Sequence, residues 1–99
     1  MAFEQGQRVK IRCLLAPGAF PGEFLVTVPY AIGGILSGFV KSGFVSRGTE
    51  DWGYVFGEVI SVDPATVTVQ IPGSFFTTAM GRTSISREQA NEQLQVAVA

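Results

Sequence analysis

The run "QRVKIRCLL" alternates without a break. Val9, Ile11 and Cys13 fall on one side of an extended chain, and Arg8, Lys10 and Arg12 on the other. A period of two marks a strand with one buried and one wet face. The same period recurs in "EFLVTVP", which Pro29 ends, and in "TVTVQIP". "DWGYVFGEVISV" reads as a long strand with Trp52, Tyr54, Phe56, Glu58 and Ile60 on one parity and Val55 and Val59 on the other. The alternation breaks within it, and a bulge that swaps faces is predicted at Gly57. "DPAT" closes an antiparallel hairpin over Asp63 to Thr66, with Pro64 pre-set for the second turn position. "APGAFPG" is a loop between strands, and "SFFTTAMG" with "RTSI" is predicted as a further strand pair.

Two segments depart from this pattern. "SREQANEQL" is polar, and Ser86 with Gln89 three residues on forms a capping box. A helix of at most two turns is predicted there, and "QVAVA" after it is either an edge strand or frayed. "SGFVKSGFVSRG" repeats Ser-Gly-Phe-Val at a spacing of five. On a strand, Phe39 and Phe44 would then face opposite ways; on a helix they would lie roughly 140° apart. One resolution is a two-residue turn at Ser42-Gly43, placing Lys41 opposite Phe44 and Val40 opposite Val45. The other is a strand apolar on both faces, with one phenylalanine in the core and the other against a second chain. The second is preferred, because the chain is 46% hydrophobic but only 15% charged and has apolar surface to cover. At 99 residues the chain is one domain. The overall expectation is a mostly β fold, a β-barrel or strongly bent antiparallel sheet, SH3-like, with one short C-terminal helix.

Composition narrows the chemistry. Histidine is absent, which removes the commonest general base and the commonest metal ligand. Cys13 is the single cysteine, so it makes no internal disulfide or paired zinc site; its alternation with Val9 and Ile11 predicts a buried thiol. Neither a cofactor nor a metal is expected. "GGILSGFVKS" lacks the Gly-Lys step of a phosphate loop, and no GxGxxG opens a helix. Residues 24–40 carry no charge, but Pro29, Gly33, Gly34 and Gly38 break them, so strands rather than a membrane span are expected. The opening "MAFEQGQRVK" is too polar for a secretory signal, and a cytoplasmic location is expected.

"GQRVKI" followed by "PGAFPGEFLVTV", then "GYVFGEVISVDPATVTVQI" and "SISREQANEQ", is similar to the opening strand and loop, central hairpin and closing helical turn of SH3-like barrels of the KOW and translation-protein type. The resemblance covers about half the chain and leaves residues 31–51 as an elaborated Gly-rich insert. It implies binding of RNA, peptides or proteins without choosing among them. The sequence also resembles small proteins of mobile integron gene cassettes.

Three candidate sites follow. Arg8, Lys10 and Arg12 could track phosphates, or simply form a solvated outer face; with a net charge of −1 nucleic acid is possible but not favoured. Trp52 and Tyr54 beside Arg47, Glu50 and Asp51 could form a binding groove, or anchor a core or subunit interface. For catalysis, Glu50 and Asp51 are neighbours that face opposite ways on an extended chain. Glu23 or Glu58 would have to come close, with Tyr54, Lys41 or Cys13 as acid or nucleophile. The leading expectation is a non-enzymatic, self-associating binding module for a small molecule, peptide or protein. Its surface combines Phe39, Phe44, Trp52 and Tyr54, edged by Lys41, Arg47, Glu50 and Asp51. A nucleic-acid-binding barrel and a small enzyme with a site between subunits are the alternatives.

Overall fold

A computed structural model describes residues 2–75 and 81–97. Two long strands form its spine: β1 (Arg8–Pro17) and β5 (Trp52–Val62), antiparallel in register from Arg8 opposite Glu58 to Leu14 opposite Trp52. The other strands are β2 (Glu23–Val28), β3 (Leu36–Lys41), β4 (Val45–Arg47), β6 (Thr66–Gln70), β7 (Ser74–Phe75), β8 (Arg82–Ser86) and β9 (Leu94–Val96). The main path of the sheet runs β7-β3-β2-β1-β5-β6-β8, with β4 also on β5 and β9 also on β1. The fold is a strongly curled antiparallel half-barrel with one short helix, α1 (Arg87–Gln93), near its C-terminus. The curl carries the β2–β3 loop round to the far side of the sheet, where the Ile32 amide donates to the Ser84 carbonyl of β8 at 2.9 Å.

The alternation of β1 survives intact, since Val9, Ile11 and Cys13 are fully buried while Arg8, Lys10 and Arg12 face outward. They meet Val26, Val28, Val55, Val59, Val67, Val69 and Ile85 in one core. Burying each such side chain contributes about 1.5–3 kcal/mol. Asp63 shapes its hairpin directly: its carboxylate accepts from the Ala65 and Thr66 amides and the Thr66 hydroxyl, each at 2.8 Å. Those bonds, the Thr66 hydroxyl first, hold the carboxyl below its ordinary value. The helix begins as its cap predicts, with Ser86 Oγ accepting from the Gln89 amide at 3.1 Å; β9 takes in Gln95 and Val96 of "QVAVA" and pairs with β1 from Val9 to Ile11, while residues 98–99 lie outside the described part.

Three local expectations are corrected. The bulge in β5 lies not at Gly57 but at Ile60: Val59 pairs with Val69, and the next pair is Ser61 with Thr68. The extra residue swaps faces, so Val62 returns to the core beside Val67. Gly57 has a different task, because a Cβ there would lie 2.7 Å from the Gln70 carbonyl oxygen and 2.9 Å from Ile11 Cδ1. "APGAFPG" is not all loop, since β1 runs on to Pro17. Within the third segment, β7 pairs with β3 and β8 with β6 rather than with each other, and residues 76–80 lie outside the described part.

The Ser-Gly-Phe-Val repeat is not structurally repeated, and it forms neither a two-residue hairpin turn nor one continuous strand. The first copy lies in β3, which pairs with β2 over six residues; residues 31–51 hold β3, β4 and the turn between them. The second copy makes one 3-10 turn, Ser42–Phe44, and then enters β4, which pairs with β5 and not with β3. The turn resets the parity. The two glycines therefore differ. A Cβ on Gly38 would lie 2.4 Å from the Ser74 carbonyl oxygen and 2.6 Å from Phe75 Cα, while one on Gly43 would meet nothing within 4 Å. Gly38→Ala is expected to lower stability by about 2–3 kcal/mol through forced separation of β3 and β7. Gly43→Ala is expected to stay within about 0.5 kcal/mol of the parent. Urea unfolding of the two variants checks the contrast, and equal losses would contradict it.

Candidate functional site

Seven consecutive cross-strand pairs put every second residue of β1 and β5 on one outer face. Arg8 stands opposite Glu58, Lys10 opposite Phe56, Arg12 opposite Tyr54 and Leu14 opposite Trp52. Directly opposed side chains on a sheet face are close enough to interact, and diagonal ones are within reach of long side chains. The Lys10 ammonium lies 5.7 Å from the Phe56 ring centroid, directly across, and the Arg12 guanidinium lies 4.3 Å from the Trp52 ring, one diagonal step away. Each such contact is worth about 0.5–1 kcal/mol at an exposed site, and it holds a flexible cation in place. Gln95 of β9, opposite Lys10, donates its amide to the Tyr54 hydroxyl at 3.5 Å. Two groups of residues that are separate in the sequence thus form one cationic and aromatic ladder.

The remaining expected site residues scatter. Arg47 reaches over Phe24, with 5.6 Å between guanidinium and ring centroid. Glu50 and Asp51 sit in the β4–β5 turn, Glu50 in a left-handed conformation with φ of 55°. The Asp51 carbonyl accepts from the Leu15 amide at 2.6 Å, so this residue anchors the turn to β1 through its backbone. Phe39, Lys41 and Phe44 meet at a cavity of about 230 Å³ that Glu23 and Pro72 also line. Glu23 Oε1 is buried there without a hydrogen-bond partner among the described residues, although Lys41 is its cross-strand neighbour. Cys13 lies inside the sheet with Sγ 3.8 Å from the Gly53 carbonyl oxygen, and burial pushes its thiol up to about 12. It carries almost no thiolate at neutral pH and is no nucleophile.

Both spine strands change neighbours midway. On one side of β1, β9 covers Val9 to Ile11 and β2 covers Leu14 to Pro17, leaving Arg12 and Cys13 between them. Tyr30 fills this gap, its hydroxyl donating to the Arg12 carbonyl. Burial, with Cys13 adding and Arg12 opposing, raises that hydroxyl above its ordinary value, so it stays a donor. On β5, β4 covers Gly53 to Val55 and β6 starts at Glu58, leaving Phe56 and Gly57 between them. Here a cavity of about 270 Å³ opens, walled by Phe44, Phe56 and Pro72 and rimmed by Arg8, Glu58 and Gln70.

Sequence reasoning missed Phe56 and Glu58 as ladder residues, though their shared parity with Trp52 and Tyr54 was a usable signal. It missed Pro72 and Gln70, which only the fold brings beside Phe44. Among the described residues no group of three His, Cys, Asp or Glu could hold a metal ion, and no helix is long and apolar enough to cross a membrane. Comparison with protein families, with characterised proteins and with solved structures finds no match.

Tyr30 supports the ladder from behind, through the backbone of Arg12. Tyr30→Phe is expected to cost about 1–2 kcal/mol by leaving the Arg12 carbonyl without its donor. It should also speed hydrogen exchange in the middle of β1. Urea unfolding with exchange mass spectrometry reads both, and unchanged stability would show that the hydroxyl does not hold the strand.

Proposed function

We propose that this chain is a non-enzymatic binding module that takes single-stranded nucleic acid on the outer face of β1 and β5. The observation that carries the reading is the register of that face, which sets Arg8, Lys10 and Arg12 in a row beside Phe56, Tyr54 and Trp52. Residues two apart on a strand are about 6–7 Å apart. Such a row suits a phosphate backbone, and aromatic side chains beside it suit bases or sugars. The net charge of −1 does not oppose this: among the ladder positions of β1 and β5 the one carboxylate is Glu58, opposite Arg8, while Asp63 lies in the β5–β6 turn and Glu88 and Glu92 on α1. The row therefore acts locally, and weak long-range steering is part of the reading. A place among SH3-like barrels and a cytoplasmic location belong to the same proposal; the curled sheet and the short helix before β9 support the former at the level of shape.

Trp52 is the sole tryptophan and lies under Arg12, so its emission reports on the face. Titrating the protein with a short oligothymidylate is expected to change that emission. Three phosphate contacts should give a log–log salt slope of about −2, or roughly a hundredfold loss of affinity per tenfold rise in salt. Arg12→Ala should make the slope shallower by about 0.7. Absent or salt-indifferent binding would sink the reading, and equal binding of polyglutamate would assign the face to acidic polypeptides instead.

Self-association is a second reading, favoured by apolar side chains left in solvent. Phe20, Ile32, Ile35 and Phe44 are 70%, 52%, 61% and 43% exposed. A discrete dimer or higher oligomer in native mass spectrometry is the expected outcome, and a clean monomer at tens of micromolar would remove it.

A further inference from the structure

The cavity at Phe56 and Gly57 adjoins the ladder. Arg8 and Glu58 are at once its first rung and the rim of the cavity. We propose that this cavity receives one base of the strand whose phosphates follow Arg12, Lys10 and Arg8, an inference that rests on the nucleic-acid reading above.

Three features select a base over other occupants. The first is size: about 270 Å³ lies just below the roughly 300–1,000 Å³ of sites that enclose drug-sized ligands, and suits a group of one or two rings. The second is the wall, which is aromatic and apolar at Phe44, Phe56 and Pro72, while Gly57 contributes only backbone to the floor. Every base has a π-face that such a wall accepts. The third is charge. An anion would meet the Glu58 carboxylate and a cation the Arg8 guanidinium, whereas an uncharged planar group with donors and acceptors on its edge satisfies both. Gln70 adds to that edge. Its Oε1 accepts from Arg82 Nε at 3.0 Å, which fixes the amide and leaves its nitrogen as a donor. The gap exists because β5 passes from β4 to β6 at this point, so the site follows from topology. Phe44 reaches it from the 3-10 turn, which accounts for its exposure in the free protein.

The test is a cycle of two proteins and two ligands, read by fluorescence anisotropy of end-labelled strands. The ligands are an oligothymidylate and the same backbone with abasic sites; the proteins are the parent and Phe44→Ala. Phe44 is exposed and outside the buried core, so the variant is expected to fold, which its melting curve checks. The parent is expected to bind the abasic strand at least about 5-fold more weakly than the normal one, the lower end of the range for loss of one stacked base. Phe44→Ala should lose a similar factor on the normal strand, none on the abasic strand and nothing in salt slope, while Phe44→Trp should retain binding. Equal affinity of the parent for both strands would overturn the base pocket while the ladder reading stood. Equal loss on both strands in Phe44→Ala would also overturn it, by making Phe44 a structural support. If neither strand binds at low salt, the ladder reading fails and the pocket with it.

Discussion

Pairing of β1 with β5 is the interaction on which the rest of the molecule depends. The two are the longest strands, of ten and eleven residues, and their seven-residue register fixes both faces at once. Inside, Val9, Ile11 and Cys13 meet Val55 and Val59 with no room for a polar side chain. Outside, the same register sets each cation of β1 against a side chain of β5. A slip of one residue would bury Arg8, Lys10 and Arg12, at a cost far beyond what the fold could offset. The outer ladder is therefore held in place by the valine core behind it.

Because both spine strands outrun their neighbours, each changes partner partway along. Those changes leave two breaks in the hydrogen-bonded sheet, treated differently. The break on β1 is closed by Tyr30, whose ring packs on the core while its hydroxyl meets the Arg12 carbonyl. The break on β5 stays open to solvent between Phe44 and Pro72. A closed gap keeps the ladder rigid, and an open one beside it offers a pocket. Rigid surroundings lower the ordering cost of binding, which matters for a surface with only three cations in a row.

How far the sequence disclosed this follows the range of each signal. Alternation in β1, the stop at Pro29, the Asp63 turn and the Ser86 cap act over a few residues, and all appear where they were read. The partner of "SGFV" did not, because β4 joins β5 through contacts set by the whole sheet rather than by its own turn. The face swap in β5 was visible as a break in parity, but Gly57 drew it away from Ile60. That glycine is required by the close approach of Gln70 and Ile11, a contact no local pattern reveals. For the site, each half of the ladder was legible as a list, Arg8 to Arg12 and Trp52 to Tyr54. Their union needed the strand order, as did the meeting of Phe44, Pro72 and Gln70.

The central claim is that the outer face of β1 and β5 is the recognition surface. Mapping amide chemical-shift changes on a ¹⁵N-labelled sample during titration with an oligothymidylate tests it most directly. The expected result is a contiguous set of shifts at Arg8, Lys10, Arg12, Trp52, Tyr54 and Phe56, extending to Phe44. Shifts confined to α1 and the β2–β3 loop, with β1 and β5 unmoved at saturating ligand, would contradict it.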